Sequence, residues 1–221
     1  VKRPRLRCAL VGADTLLIEC ARLLLERGHE IATVASGSTR IADWATQAGI
    51  PTRPADALDN WDEDLSALSI DHLFAITHLA LLPSKIVSAV RGPAINFHDG
   101  PLPRYAGLNT PVWGILCNEP EWGISWHRIE DGIDNGDVLV QRRFAIAERE
   151  TALSLNTRNF EEAIESFSEV LDKLESAHAD GRPVDVERQD PLAPRSVFRR
   201  SDRPDSVLDF SQPAADVDRV V

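Results

Sequence analysis

Short apolar runs alternate with stretches of helical periodicity through the first hundred residues, and this alternation constrains the fold more than any other feature. Residues 6–11 form a buried-type strand closed by Gly12. Residues 15–27 then place Leu16, Leu17, Cys20, Leu23 and Leu24 at helical spacing, with Gly28 as the stop. The same alternation predicts strands over 30–35, 71–77 and 93–97, and helices over 39–48, 62–68 and 83–90, the last with Pro83 near its first turn. Strands separated by helices of this length imply an α/β fold, a mostly parallel sheet with helices on both faces. In such sheets the functional groups gather at the carboxyl ends of the strands.

Asn96 and His98 lie at such an end. They share strand parity, so both side chains face one way. A Pro-rich loop, Pro101-Leu102-Pro103, follows and holds the chain extended. An Asn amide donates to a carbonyl oxygen, and an imidazolium stabilises developing negative charge. On the residues alone, Asn96 as a loop cap and His98 as a satisfied, half-buried histidine remain equally open. Further on, residues 110–117 have helical spacing, and 123–128 and 138–146 read as two strands. The loop between those strands carries Glu130, Asp131, Asp134 and Asp137 with Gly132 and Gly136. A solvated acidic turn accounts for Glu130 and Asp137; it accounts less well for Asp134, which follows Ile133. Residues 152–179 form a long amphipathic helix with Phe160, Ala163, Ile164, Phe167, Val170, Leu171 and Leu174 on one stripe.

The order Asn96-x-His98, then Leu102-Pro103 with Gly107-Leu108, then Asp131-Gly132-x-Asp134-x-Gly136-Asp137 resembles the 10-formyltetrahydrofolate-dependent formyltransferases. That family includes methionyl-tRNA, glycinamide ribonucleotide and sugar N-formyltransferases, the hydrolase domain of formyltetrahydrofolate dehydrogenase, and formylation domains of peptide synthetases. The likeness runs from about residue 6 to 179, and the 36-residue separation of His98 and Asp134 matches the family's layout. It implies a Rossmann-like catalytic domain over 1–180 in which Asn96, His98 and Asp134 are catalytic, with 10-formyltetrahydrofolate as formyl donor. Asn96 and His98 would stabilise a tetrahedral oxyanion, while Asp134 keeps His98 cationic and takes the amine proton. By the same likeness the segment Ile129, Glu130, Asp131, Gly132 and Ile133 contacts the pteridine, and Leu81 and Leu82 line its pocket. His127 points near the site by alternation or packs as a strand histidine. Where the family often carries Pro-Ser after the histidine, this chain has Asp99-Gly100, which leaves the acceptor side of that loop open.

Partners follow from charge. Lys and Arg total 24 against 35 Asp and Glu, a net charge of −11, a poor basis for non-specific binding of nucleic acid or anionic membrane. The turn at residues 35–40 is short and lacks the basic insertion expected of a tRNA formylase. A small-molecule, amino-sugar or carrier-bound amine is therefore expected as acceptor, ahead of methionyl-tRNA. Hydrolysis of the donor and a non-catalytic folate-binding domain are the alternatives. The stretch 105–113 with Trp122 and Trp126 is a candidate acceptor wall, against a core role. The turn at Gly12-Ala13-Asp14 lacks a full glycine fingerprint and reads as an ordinary strand–helix turn. No run approaches a membrane span. Cys8, Cys20 and Cys117 form no CxxC pair, so reduced thiols, no metal site and a cytoplasmic setting are expected.

Residues 181–221 hold five of the fourteen prolines and few apolar residues. They read as a linker with an apolar restart at Val207-Leu208-Asp209-Phe210, similar to the start of the C-terminal domain of methionyl-tRNA and dehydrogenase-type members. With the chain ending at Val220-Val221, a truncated C-terminal domain and a larger parent protein are expected.

Overall fold

The computed structural model describes residues 4–190, 192–202 and 208–219; Val207, Val220 and Val221, which carry the expected restart and end, lie outside the described residues. The first half alternates as the sequence predicts: β1 Arg7–Gly12, α1 Thr15–Glu26, β2 Glu30–Ala35, α2 Thr39–Gln47, β3 Thr52–Arg53, α3 Trp61–Ala67, β4 His72–Ile76, α4 Ser84–Val87 and β5 Ala94–His98. Then come β6 Ala106–Gly107, α5 Thr110–Leu116, β7 Glu121–Arg128, β8 Val138–Ala145, α6 Ala152–Asp180, β9 Val197–Phe198 and α7 Ala214–Asp218.

Seven strands form one sheet in the order β3-β2-β1-β4-β5-β7-β8. The pairs from β3 to β5 are parallel, while β7 joins β5 and β8 antiparallel. Strand parity divides the core. Cys8, Leu10, Phe74, Ile76, Ile95 and Phe97 pack on the face covered by α1 and α6, while Ala9, Val11, Leu73, Ala75 and Ala94 face α3 and α4. Each fully buried Leu or Phe contributes about 1.5–3 kcal/mol to this two-layer burial. Helix α6 starts at a capping box between Thr151 and Ser154 and lays Phe167, Val170, Leu171 and Leu174 on the sheet. Among the described residues no helix is long and apolar enough to cross a membrane.

Two local expectations are corrected. The helix expected over 83–90 is a single turn, with Pro83 as its N-cap. The Ala89 amide bonds to Ile86 O, three residues back, so the chain leaves the helix as a turn. Part of the segment beginning at 181, expected as a linker, is paired with earlier strands. Glu187 bridges to Val138 on β8, and β9 pairs with β6 in parallel. We call residues 184–200 the strap.

Candidate active site

Antiparallel pairing of β5 and β7 puts Asn96 opposite His127 and His98 opposite Ser125. All four are of the parity that points away from the α6 face, because their neighbours Ile95, Phe97, Ile124 and Trp126 fill that core. The β7–β8 pairing shifts register at Trp126/His127, skipping Leu139, while the β5–β7 pairing stays regular. His127, left undecided by the sequence, is thus in the site beside Asn96, His98 and Asp134.

His98 is buried, and its Nε2–H donates to the Tyr105 carbonyl at 2.7 Å. Its Nδ1 faces Asp134 Oδ2 at 3.5 Å and Asp99 Oδ1 at 3.9 Å. Gly100 makes this possible: a Cβ there would stand 2.7 Å from His98 Nε2 and 2.8 Å from Tyr105 O. The Asp99-Gly100 departure is therefore used. Asp99 itself is held by Thr110 Oγ1, which donates to its Oδ1 at 2.8 Å.

His127 donates Nδ1–H to the Arg128 carbonyl at 2.7 Å. Its Nε2 lies 3.0 Å from Asn96 Nδ2 and 3.3 Å from Asp134 Oδ1. A bare Nε2 accepts from the Asn96 amide, and a protonated one donates to Asp134. One carboxylate is thus shared by two imidazoles, one on each oxygen. Burial alone would push the Asp134 carboxyl up. The charge of His98, the hydrogen bond and charge of His127 and the Gly107 amide outweigh burial and hold it well below the usual carboxylate range.

Asp134 sits in the left-handed region at φ 47°, a conformation that needs outside support. The strap supplies it. Gln189 Nε2 donates to the carbonyls of Asp134 at 2.9 Å and Gly136 at 2.8 Å, and Arg195 donates to Ile133 O. The Gly107 amide donates to Asp134 Oδ2 at 2.8 Å. Gly107 has φ 99°, and a Cβ on it would meet Phe198 O at 2.0 Å, so only glycine lets β9 close on β6 here.

The cluster opens onto a cleft of about 480 Å³ at the carboxyl ends of β1, β4 and β5. Of the residues singled out for the pteridine, Leu81, Leu82, Ile129, Glu130, Gly132 and Ile133 line the cleft and Asp131 does not; it is exposed, and its carbonyl accepts from Asn135. Leu81 stands 72% exposed at the rim, and Leu82 packs beside Ile129. His78 also lines the cleft; burial pushes its imidazole down, and its Nε2 is buried with no hydrogen-bond partner among the described residues. At Ala13 and Asp14 both amides point at Thr77 Oγ1, at 3.4 and 3.0 Å, so this turn is closed by the protein itself. Trp122 and Trp126 are fully buried and do not line the cleft; they belong to the core. Gly107 and Leu108, from the stretch 105–113, do line the cleft, together with Asn156, Phe198, Arg199 and Arg200. The strap residues among these carry no motif in the sequence, because their place depends on two-residue pairing with β6.

Residues 27–171 match the formyl transferase family. The chain is 32% identical over 105 residues to the GDP-perosamine N-formyltransferase of Brucella melitensis, a stretch covering 48% of this chain and 40% of that enzyme. The match therefore spans less than half the length of that curated relative. In solved structures the fold recurs in WlaRD, a sugar 3N-formyltransferase crystallised with dTDP and 5-N-formyl-THF. There the TM-score is 0.77 at 18% identity, covering 98% of this chain and 78% of that one. It recurs in an N-formyltransferase from Helicobacter canadensis in complex with folinic acid and dTDP-3-aminofucose. There the TM-score is 0.79 at 18% identity, covering 97% and 79%.

Proposed function

This chain belongs to the formyl transferase family, and we propose that it moves the formyl group of 10-formyltetrahydrofolate to the primary amine of a nucleotide-linked amino sugar. The observation that carries the reaction is the convergence of His98 and His127 on one carboxylate, Asp134, with Asn96 against His127, in the lining of a cleft. The acceptor class is favoured by the relatives named above, which act on or bind such sugars. The net charge of −11 also disfavours tRNA.

The chemistry follows from the side chains. The acceptor nitrogen attacks the formyl carbon and forms a tetrahedral oxyanion. The Asn96 amide and a proton on His98 Nδ1, the ring nitrogen not engaged by Tyr105, donate to that oxygen. Asp134 balances the charge on His98 and accepts the proton lost by the attacking amine, directly or through water. Collapse breaks the bond from the formyl carbon to N10 of the folate, and N10 takes a proton. The products are the N-formyl sugar and tetrahydrofolate. Half-buried Leu82 and Ile129 with rim residue Leu81 offer an apolar wall for the pterin face, and the free His78 Nε2 and the backbone of 129–133 offer polar partners.

The test is incubation with 10-formyltetrahydrofolate and, separately, dTDP- and GDP-linked amino sugars, methionyl-tRNA, or no acceptor, read by mass spectrometry. A gain of one formyl group on a nucleotide sugar is expected. Salt-sensitive formylation of the tRNA alone would overturn the acceptor assignment. Formate release without acceptor, and no transfer to any amine, would make the protein a hydrolase.

A further inference from the structure

The cleft is acidic around its floor, with Asp14, Glu130 and Asp134 among its lining residues, and the whole chain carries a net charge of −11. An acceptor bearing phosphates would be repelled unless cations met it. Two arginines line the cleft, Arg199 and Arg200, side by side at the end of the strap. Both are exposed, and among the described residues neither has an ion-pair partner. With 35 acids available, two neighbouring unpaired guanidiniums at a cleft rim call for an anion from outside.

Their backbone is fixed. Leu108 N–H bonds Phe198 O at 2.8 Å, and the Arg199 amide bonds Asp202 Oδ2 at 2.7 Å. The Phe198 ring stacks on Trp113 at 4.6 Å and on Tyr105 at 5.5 Å. Two forked donors on an anchored segment suit the adjacent phosphoryl groups of a diphosphate better than a single carboxylate.

We infer that Arg199 and Arg200 form the diphosphate-binding rim for the acceptor, which therefore arrives as a nucleoside diphosphate sugar with its amine directed at Asp134. This deepens, and rests on, the formyl-transfer function proposed above. The donor's glutamate carboxylate is the competing anion. It is disfavoured because the apolar donor wall comes from the segments after β4 and β7, whereas both arginines come from the strap beside Gly107 and Leu108.

The experiment is calorimetric titration of the intact chain and of the double variant Arg199→Ala/Arg200→Ala with dTDP, with GDP and with 5-formyltetrahydrofolate. Wild-type protein should bind the folate and at least one nucleoside diphosphate saturably. The variant should bind that nucleotide about tenfold or more weakly, and folate as before, because each 1.4 kcal/mol of lost contact is tenfold in affinity. The variant Arg199→Lys/Arg200→Lys should keep part of the affinity that the alanine variant loses. Unchanged nucleotide affinity overturns the inference, as does loss of folate affinity alone, which would assign the rim to the donor. Folate binding without binding of either nucleotide also overturns it and leaves formyl transfer standing. Absence of folate binding overturns the function and the inference together.

Discussion

Two buried histidine–carboxylate pairs lie at opposite ends of the sheet, and only one faces a cleft. At the amino end, His29 precedes β2 and its Nε2 donates to Glu175 Oε1 on α6 at 3.0 Å. Its other nitrogen accepts the Leu6 amide at 3.2 Å, so both ring nitrogens are engaged by the protein. Arg27 completes the cluster by reaching Glu175 at 3.1 Å and Ser168 O at 3.1 Å. At the carboxyl end, His98 also commits one nitrogen to a backbone group, but as a donor to Tyr105 O. Its second nitrogen is turned to Asp134 and the cleft, where a proton can be held and given up. Under the proposed function, the same two residue types make a structural clamp in one place and a proton-handling pair in the other. The difference is whether the backbone partner donates or accepts, and whether a cavity adjoins.

Substitutions that break this contrast should separate turnover from stability. The largest effect is expected for His98→Ala, with formyl transfer falling by on the order of 10²–10⁴-fold while the fold survives. Circular dichroism and a formylation assay on the same sample check it, and a folded variant with near-normal turnover would remove His98 from the chemistry. Next is Gly107→Ala, which drives a methyl into Phe198 O and displaces the strap and the amide that holds Asp134. A shift of this kind costs on the order of 10²-fold in turnover. The counterpart at the other end is His29→Ala, which leaves Glu175 and the Leu6 amide without that ring. Loss of one partner of a buried pair costs roughly 3 kcal/mol, measurable by urea unfolding, with turnover at permissive temperature changed little.

The smallest effect near neutrality is in the pH dependence of stability, where the two ends occupy different windows. His72, on β4, has its imidazole pushed down to about 4 by burial, against a hydrogen bond to Pro93 O that raises it. Its folded value lies below its ordinary 6.5, so the unfolded chain binds more protons between these values. Stability is full above about pH 6.5 and declines as pH falls toward 4, by roughly 3 kcal/mol at most. His72→Gln should flatten that limb. Asp134 is also depressed, from an ordinary value of 3.8, so its contribution is full above that value and is lost as pH falls below it through the folded one. Asp134→Asn should lower the plateau above that value and remove the acidic limb of the unfolding profile.

Much of this was legible in the chain. Apolar alternation gave β1, β2, β4 and β5, because strands buried on both faces leave no other reading of runs such as Cys8-Ala9-Leu10-Val11. Asn96, His98 and Asp134 stood out by order and spacing, and the structure brings them together. What stayed hidden depends on contacts between distant segments. His127 has the right alternation, but its place beside Asn96 comes from the antiparallel pairing of β7 with β5, which no local pattern encodes. The strap looks like a linker because its order comes from side chains such as Gln189 reaching another loop's carbonyls, not from its own periodicity. The acceptor wall was sought among tryptophans, whose area the core claims first; Trp126 bonds Ser166 on α6 rather than facing the cleft.

The contrast is tested most directly by measuring turnover and thermal midpoint together on Asp134→Asn and Glu175→Gln. If the carboxyl-end pair performs the chemistry and the amino-end pair clamps the fold, Asp134→Asn loses formyl transfer by on the order of 10²-fold or more while the protein remains folded. Glu175→Gln then keeps its turnover and drops several degrees in midpoint. Near-normal formyl transfer by folded Asp134→Asn, or loss of turnover in a Glu175→Gln protein that remains folded, would contradict the account.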